Sequence, residues 1–398
     1  MKYTTILILL LCMQFSCMEK HHINMNTPVI SMDNLIELDI TESFKGLENL
    51  EQQFITILGE HRLVLLETTD DCLIGEIKKV TLTDSLIFVL DAFLANKLFV
   101  FNADGKFIRH IGSRGQGPGE YIQATDFHYD KYTKEVIIYD QFKHQMLYFD
   151  LNGNFIRTKL HNIRFVNFAK TKNEYVYKLL DNRHIPEIED CYAAMGTDST
   201  EVVYAALPRF EMNFYTGFTL NVLNDSIVSF ARPFRDTIYH YSNGILYPKY
   251  HIKFPEKTKL PANVEKQVDH DYYKLRTRYD NLEENRTYFN GNFFETDDYL
   301  YFIIDHPYHY AFIYNKTTNK LMSGTKSHSS HGHFEPMFLF FTPVSCSNNC
   351  FITTIESRRL YDEHRFPHKI DSTGTIYKLI ENIKPDDNPA LFIHKFDF

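Results

Sequence analysis

Residues 98–111 read LFVFNADGKFIRHI and residues 146–160 read MLYFDLNGNFIRTKL. Each stretch is an apolar run, a polar turn ending in Gly, and a second run closing on Phe-Ile-Arg. Asp104 and Asn152 stand 48 residues apart, and so do Arg109 and Arg157. Asp-Gly and Asn-Gly supply the positive φ that a tight hairpin demands, so both stretches read as strand, turn, strand. A repeat of about 40 to 50 residues built from short strands cannot bury its apolar face alone. Stacking copies solves that, which points to a solenoid or a propeller.

Working outward, strands 85–91 (SLIFVLD) and 135–140 (EVIIYD) precede the two hairpins, each ending in Asp. The first unit reads as 64–67, 77–80, 85–91 and 97–102, closing near Ile111; the second begins at 124–127. Later copies are more degenerate. They show as 174–180 (EYVYKLL), as 226–230 and 236–240 with the Asn243-Gly244 turn, as 299–304 with 311–314, and as 351–355 with 391–396. Six units fit the 398 residues as one all-β domain, because closed β folds run long as single units. The first and last blades must share strands for the ring to close. The alternating segment 35–40 (LIELDI) is the expected partner of 391–396.

One segment breaks the pattern. Val264, Val268, Tyr272, Leu275, Tyr279 and Leu282 recur at helical spacing, with no Gly or Pro between Ala262 and Arg286 and Pro261 at the start. This predicts an amphipathic helical insertion over about 261–285, covering a blade or docking a partner.

Lys2 followed by 5–13 (TILILLLCM) has the charged and apolar regions of a signal peptide over 1–16, far short of the roughly 20 residues of a membrane span. Residues 17–34 are polar and read as a tether, leaving 35–398 for the propeller. Of the six cysteines, Cys346 and Cys350 are spaced as buried free thiols flanking a turn or as a small disulfide loop, and their spacing is not that of a zinc site. A net charge of −9 argues against nucleic acid, which needs a basic face.

Gly112-Ser-Arg-Gly-Gln-Gly-Pro-Gly-Glu-Tyr121 follows the first Phe-Ile-Arg strand. With 97–109, with Arg232-Pro-Phe234 before Asp236-Thr-Ile-Tyr239, with 386–391 (DDNPAL) and with the Ser16-Cys17 pair, it resembles the six-bladed β-propeller lipoproteins of Bacteroidetes, relatives of the NHL-repeat propellers. The resemblance implies a six-bladed propeller and acylation of Cys17, although Gln14 and Phe15 depart from the usual lipobox. It implies a cell-envelope address in a Gram-negative bacterium, held to the membrane by the lipid. Met18 in place of Asp favours the outer membrane by analogy. It implies no activity.

The glycine loop is neither a P-loop, lacking Lys-Ser/Thr after its last Gly, nor a dinucleotide fingerprint, because a strand follows it. It reads as a blade-to-blade crossing, with Arg114, Gln116 and Glu120 as candidates for a ligand loop. His328, His331 and His333 are the one His cluster dense enough for a metal, on a Gly/Ser loop that also reads as solvated surface. No cofactor is expected. Two functions stand: a binding or scaffold module for an unknown protein or small-molecule ligand, or an NHL-like metal-dependent lyase or hydrolase at the axis. Three converging His or carboxylate side chains on the innermost strands would favour the enzyme.

Overall fold

The computed structural model describes residues 28–43, 57–197, 202–208, 220–261, 286–306, 308–325, 342–365 and 375–398. Three strands come first: β1 (Val29–Ile30), β2 (Ile36–Asp39) and β3 (Leu58–Leu65). Blade 1 is β4 (Lys79–Leu82), β5 (Leu86–Asp91), β6 (Lys97–Asn102) and β7 (Phe107–Ile111). A short parallel pair, β8 (Ser113–Arg114) and β9 (Glu120–Tyr121), leads to blade 2, which is β10 (Asp126–Asp130), β11 (Glu135–Asp140), β12 (Gln145–Phe149) and β13 (Phe155–Leu160). Blade 3 is β14 (Phe165–Lys170), β15 (Tyr175–Leu179), β16 (Cys191–Gly196) and β17 (Tyr204–Pro208). Blade 4 is β18 (Asn221–Leu223), β19 (Ile227–Ala231), β20 (Thr237–Ser242) and β21 (Ile245–Lys253). Blade 5 is β22 (Tyr288–Glu295), β23 (Tyr299–His306), β24 (Tyr308–Asn315) and β25 (Leu321–Thr325). Blade 6 is β26 (Ser345–Ser347), β27 (Cys350–Ile355), β28 (Ala390–Phe396) and, outermost, β3. The chain is a six-bladed β-propeller of antiparallel meanders.

The repeat that opens the sequence is repeated in atoms. Gly105 and Gly153 both have φ of +83°, and each follows a residue whose side chain gathers the turn. Asn102 Oδ1 accepts the N–H groups of Asp104 and Lys106, while Asp150 Oδ1 accepts those of Asn152 and Asn154. Both hairpins carry a β-bulge just past the turn. The Asp that ends each second strand has a job as well. Asp91 accepts the N–H groups of Gly75, Glu76, Phe93 and Leu94, and Asp140 those of Ile122, Phe142 and Lys143. Each thereby fixes the incoming chain against its own blade.

Alternate residues of each strand face the two neighbouring blades, so the core lies between blades. Phe88, Val100, Phe127 and Ile138 fill the gap between blades 1 and 2, and Tyr139, Phe165 and Tyr177 that between blades 2 and 3. Val64, Val89, Phe99 and Leu391 fill the gap between blades 6 and 1. High Phe and Tyr content suits this wedge-shaped stacking of half-buried sheets.

Closure differs from the expectation. The strand that pairs with β28 is β3, with Ala390 opposite Leu65 and His394 opposite His61. Residues 64–67 therefore belong to the last blade and its exit, not to the first unit. The segment 35–40 lies along the edge of blade 4, where β2 pairs in parallel with β21 and buries Leu38 and Ile40 between blades 4 and 5. Its alternation set which face is buried and said nothing of which edge it joins. Blade 6 also carries two short helices, α1 (Ser357–Arg365) and α2 (Thr375–Ile380), which press Leu360 and Ile380 onto the interface with blade 5. The expected helical insertion, the signal segment and Cys17 lie outside the described residues. Among the described residues Cys72, Cys191, Cys346 and Cys350 are free thiols; Cys346 and Cys350 flank the Asn348-Asn349 turn as expected of free thiols, but both residues are half-buried rather than buried.

Candidate functional site: the axial cavity

Six innermost strands, β4, β10, β14, β18, β22 and β26, present their edges to the propeller axis and leave a cavity of about 840 Å3 lined from all six blades. The strands run in the same direction around the axis, so the cavity has a start end and a finish end. From Asp126 to Asp130 along β10 this is about 14 Å at the rise of an antiparallel strand.

At the start end, Lys79 Nζ lies 2.9 Å from Asp126 Oδ1 and donates to the Phe127 carbonyl at 2.7 Å. The other oxygen of Asp126 accepts the Phe168 N–H at 3.0 Å, so one buried carboxylate ties blades 1, 2 and 3 together. Lys78 donates to the Thr125 carbonyl, and its ammonium lies 5.6 Å from the Phe93 ring centroid. Lys178, opposite Asn167 near the start of β14, is buried among the lining residues and stands over the Tyr192 ring. Burial and then Lys78 push the Lys178 ammonium well below its ordinary pKa, and burial with Lys79 lowers Lys78 against the pull of Asp126.

At the finish end, Lys170 Nζ pairs with Asp130 at 2.6 Å, and Asp225 of blade 4 receives both Lys131 and the Tyr132 hydroxyl of blade 2. His128 lies between the ends. Burial, then Lys79 and Lys170, push its pKa down to about 3 despite Asp130 and Asp126, so it is a neutral ring at physiological pH. On the far wall Ser345 and Ser347 hydroxyl oxygens accept the N–H groups of Val80 and Leu82, joining blades 6 and 1. The Cys346 thiol donates to Asn221 Oδ1 and to the Glu295 carbonyl, and burial raises its pKa to about 12, which removes it as a thiolate nucleophile.

The residues singled out from sequence stand elsewhere. Arg114 and Gln116 are exposed on the glycine loop, and Glu120 turns its carboxylate back onto the Gly117 N–H at 2.7 Å. The loop is pinned from outside by Lys143, whose ammonium donates to the carbonyls of Gly115 and Glu120. None of Arg114, Gln116 and Glu120 lines the cavity. The four glycines are not equivalent: Gly112 and Gly119 take positive φ, and the bend at Gly112 sits against the buried Tyr121 and Phe149 rings. His328, His331 and His333 lie outside the described residues. Among the described residues no three His, Cys, Asp or Glu side chains stand together as metal ligands. The cavity lysines do carry a sequence signal. Lys178 interrupts an apolar strand, and Lys78-Lys79 opens another.

Fold and cavity define a six-bladed propeller with an axial cavity of mixed polar and apolar walls that carries several lysines. The sequence matches the family described as Domain of unknown function (DUF4934) over residues 35–395, and the chain belongs to that family. A crystal structure of a Bacteroides fragilis protein described as exported has the same fold, with a TM-score of 0.70 at 17% identity over 92% of this chain and 100% of that one. A member of the DUF4221 family from Bacteroides vulgatus is similar at a TM-score of 0.50 and 7% identity, covering 86% of this chain and 97% of that one. Among curated proteins none matches at a significant level.

Proposed function

We propose that this chain is an exported, lipid-anchored propeller of the cell envelope that binds a small molecule in its axial cavity. The observation that carries the reading is the cavity itself. At about 840 Å3 it has the size of a small-molecule site, with polar side chains from several blades converging on partly apolar walls. Rigid inner strands hold those side chains, which lowers the ordering cost of binding. Export and anchoring rest on the Ser16-Cys17 end of the apolar run, and the Bacteroides fragilis protein of the same fold, described as exported, agrees with export. Acyl chains on Cys17 would bury enough methylenes, at about 0.8 kcal/mol each, to hold the protein on the membrane.

Two experiments test this. Cys17→Ala should move the protein from the membrane fraction to the soluble fraction and abolish palmitate labelling; retention with label refutes the anchor. For the cavity, native mass spectrometry of protein purified from its own envelope should show a small-molecule adduct. Thr81→Phe, which puts a ring into the lumen from the middle of β4, should remove it. An adduct retained at full occupancy in that variant refutes the site.

A further inference from the structure

Beside the finish end of the axial cavity, a second and smaller hollow of about 180 Å3 opens between the turns of three blades. Tyr132 of blade 2, Lys172 and Asn173 of blade 3, and Asn224, Ser226 and Asn243 of blade 4 line it. It shares Tyr132, Lys172 and Asp225 with the cavity, so the two adjoin. A water takes about 30 Å3, which makes this room for about six waters or one sugar ring.

The carboxylates of the hollow are already engaged. Asp225 takes the Lys131 ammonium at 2.5 Å and the Tyr132 hydroxyl at 3.1 Å. Glu174, buried beneath, takes the Tyr241 hydroxyl at 2.9 Å and the Asn243 N–H at 2.8 Å. Both stand against the single ammonium of Lys172, which disfavours an anion. Neutral hydrogen-bonding capacity is left over. Among the described residues the side chains of Asn173, Asn224 and Ser226 meet no protein partner, and Asn243 uses only its Nδ2, on the Ser242 hydroxyl. An amide donates and accepts, as a hydroxyl does, so these groups match a molecule bearing several hydroxyls. The Tyr132 ring, 48% exposed, is the one aromatic surface of the hollow. The Lys131 and Lys172 ammoniums lie 5.6 and 5.5 Å from its centroid, and such contacts at an exposed ring are weak and give way to a ligand.

We propose that this hollow binds one neutral sugar unit, a pyranose whose C–H face lies on the Tyr132 ring while its hydroxyls exchange hydrogen bonds with Asn173, Asn224, Ser226 and Asn243. Lys172, displaced from the ring, donates to a further sugar oxygen. An apolar molecule of this size would leave the four polar groups without partners. The site goes beyond the reading of the axial cavity and does not depend on it.

Saturation-transfer NMR of the full chain tests it, with methyl glucoside, methyl galactoside, methyl mannoside and N-acetylglucosamine titrated in turn. Cyclohexanol is the control, because it keeps a six-membered ring and has one hydroxyl. At least one sugar should saturate at about tenfold lower concentration than cyclohexanol, the gain of one or two net hydrogen bonds. Tyr132→Ala should weaken that sugar about tenfold and Asn173→Ala about fivefold, each variant being checked for an unchanged melt. Thr81→Phe, which fills the lumen from blade 1, should leave sugar binding unchanged. No saturation by any sugar, cyclohexanol binding as tightly, or full affinity in both Tyr132→Ala and Asn173→Ala would overturn the inference. Loss of sugar binding in Thr81→Phe would overturn it as well, by placing the sugar in the lumen. The two claims therefore fail separately: a purified adduct that survives Thr81→Phe refutes the lumen site and leaves the sugar titrations to decide the hollow.

Discussion

Gly105→Ala places a methyl group where the ring of blades closes. Gly105 has φ of +83°, and a Cβ there would lie 2.2 Å from the Leu65 carbonyl oxygen and 2.9 Å from Val64 Cγ1, both on β3. The Glu67 N–H also donates to the Gly105 carbonyl at 2.8 Å, so β3 cannot retreat without losing that bond. Gly153 is the matched control. It occupies the same turn of blade 2 with the same φ of +83°, and its Cβ would stand 3.2 Å from the His110 carbonyl, a tight but tolerable approach. The left-handed conformation costs an alanine about 1–2 kcal/mol at either position. Collision with the closing strand adds about 1–3 kcal/mol at Gly105 alone. Equilibrium urea unfolding should therefore put Gly153→Ala about 1–2 kcal/mol below the parent and Gly105→Ala about 2–5 kcal/mol below it. Equal losses, or the larger loss at Gly153, would refute closure by β3.

Glu295, fully buried between blades 4 and 5, meets His240, Tyr250 and Lys316. Burial alone would raise its pKa, but His240 and then Lys316 outweigh burial and hold it at about 2. A carboxylate depressed this way stabilises the fold fully above about pH 4.5 and loses that contribution as pH falls toward 2. Glu295→Gln should cost about 3 kcal/mol at pH 7, with the gap to the parent shrinking steadily below pH 4.5, and a gap constant with pH would contradict this. Lys178 has the opposite charge and the same sign of linkage. Its lowered pKa means that the folded state binds fewer protons than the unfolded chain, so stability rises with pH up to about 10.5, and Lys178→Met should flatten that rise. A variant whose stability rises with pH as steeply as the parent's would show the reasoning wrong. On the glycine loop, Gly112→Ala meets Tyr121 at 2.9 Å with φ of +67° and should cost about 1–3 kcal/mol, whereas Arg114→Ala should change stability by less than about 0.5 kcal/mol. Comparable losses for the two in thermal melts would count against a backbone role for that loop.

The sequence exposed the fold wherever the chain repeats a physical device. Asn102 and Asp150 gather identical turns, Gly105 and Gly153 bend them, and Asp91 and Asp140 cap the incoming strands, so two hairpins sufficed to define the blade. Even within the repeat, equivalent residues diverge in use. Arg109 reaches across to the Leu151 carbonyl and the Asn152 side chain of the next blade, while Arg157 stays within its own blade, paired with Glu135 over the Tyr148 ring. The closing strand stayed hidden because it is outermost, and its Glu60-His61-Arg62 centre faces solvent and interrupts the apolar pattern. The site was less legible still. Glycines and histidines drew attention to loops, whereas the cavity is assembled from residues as far apart in sequence as Lys79, Phe168 and Ser345. A ring fold brings such residues together by topology alone, and no local spacing announces it.

Whether the axis of this propeller holds a ligand decides the function proposed for it. A crystal structure of the mature chain, purified from its own envelope without a denaturing step, should show density for a small molecule in the axial cavity, beside Thr81, His128 and Phe168. A small molecule seated instead on the glycine loop at Arg114, with only water along the axis, would overturn the reading.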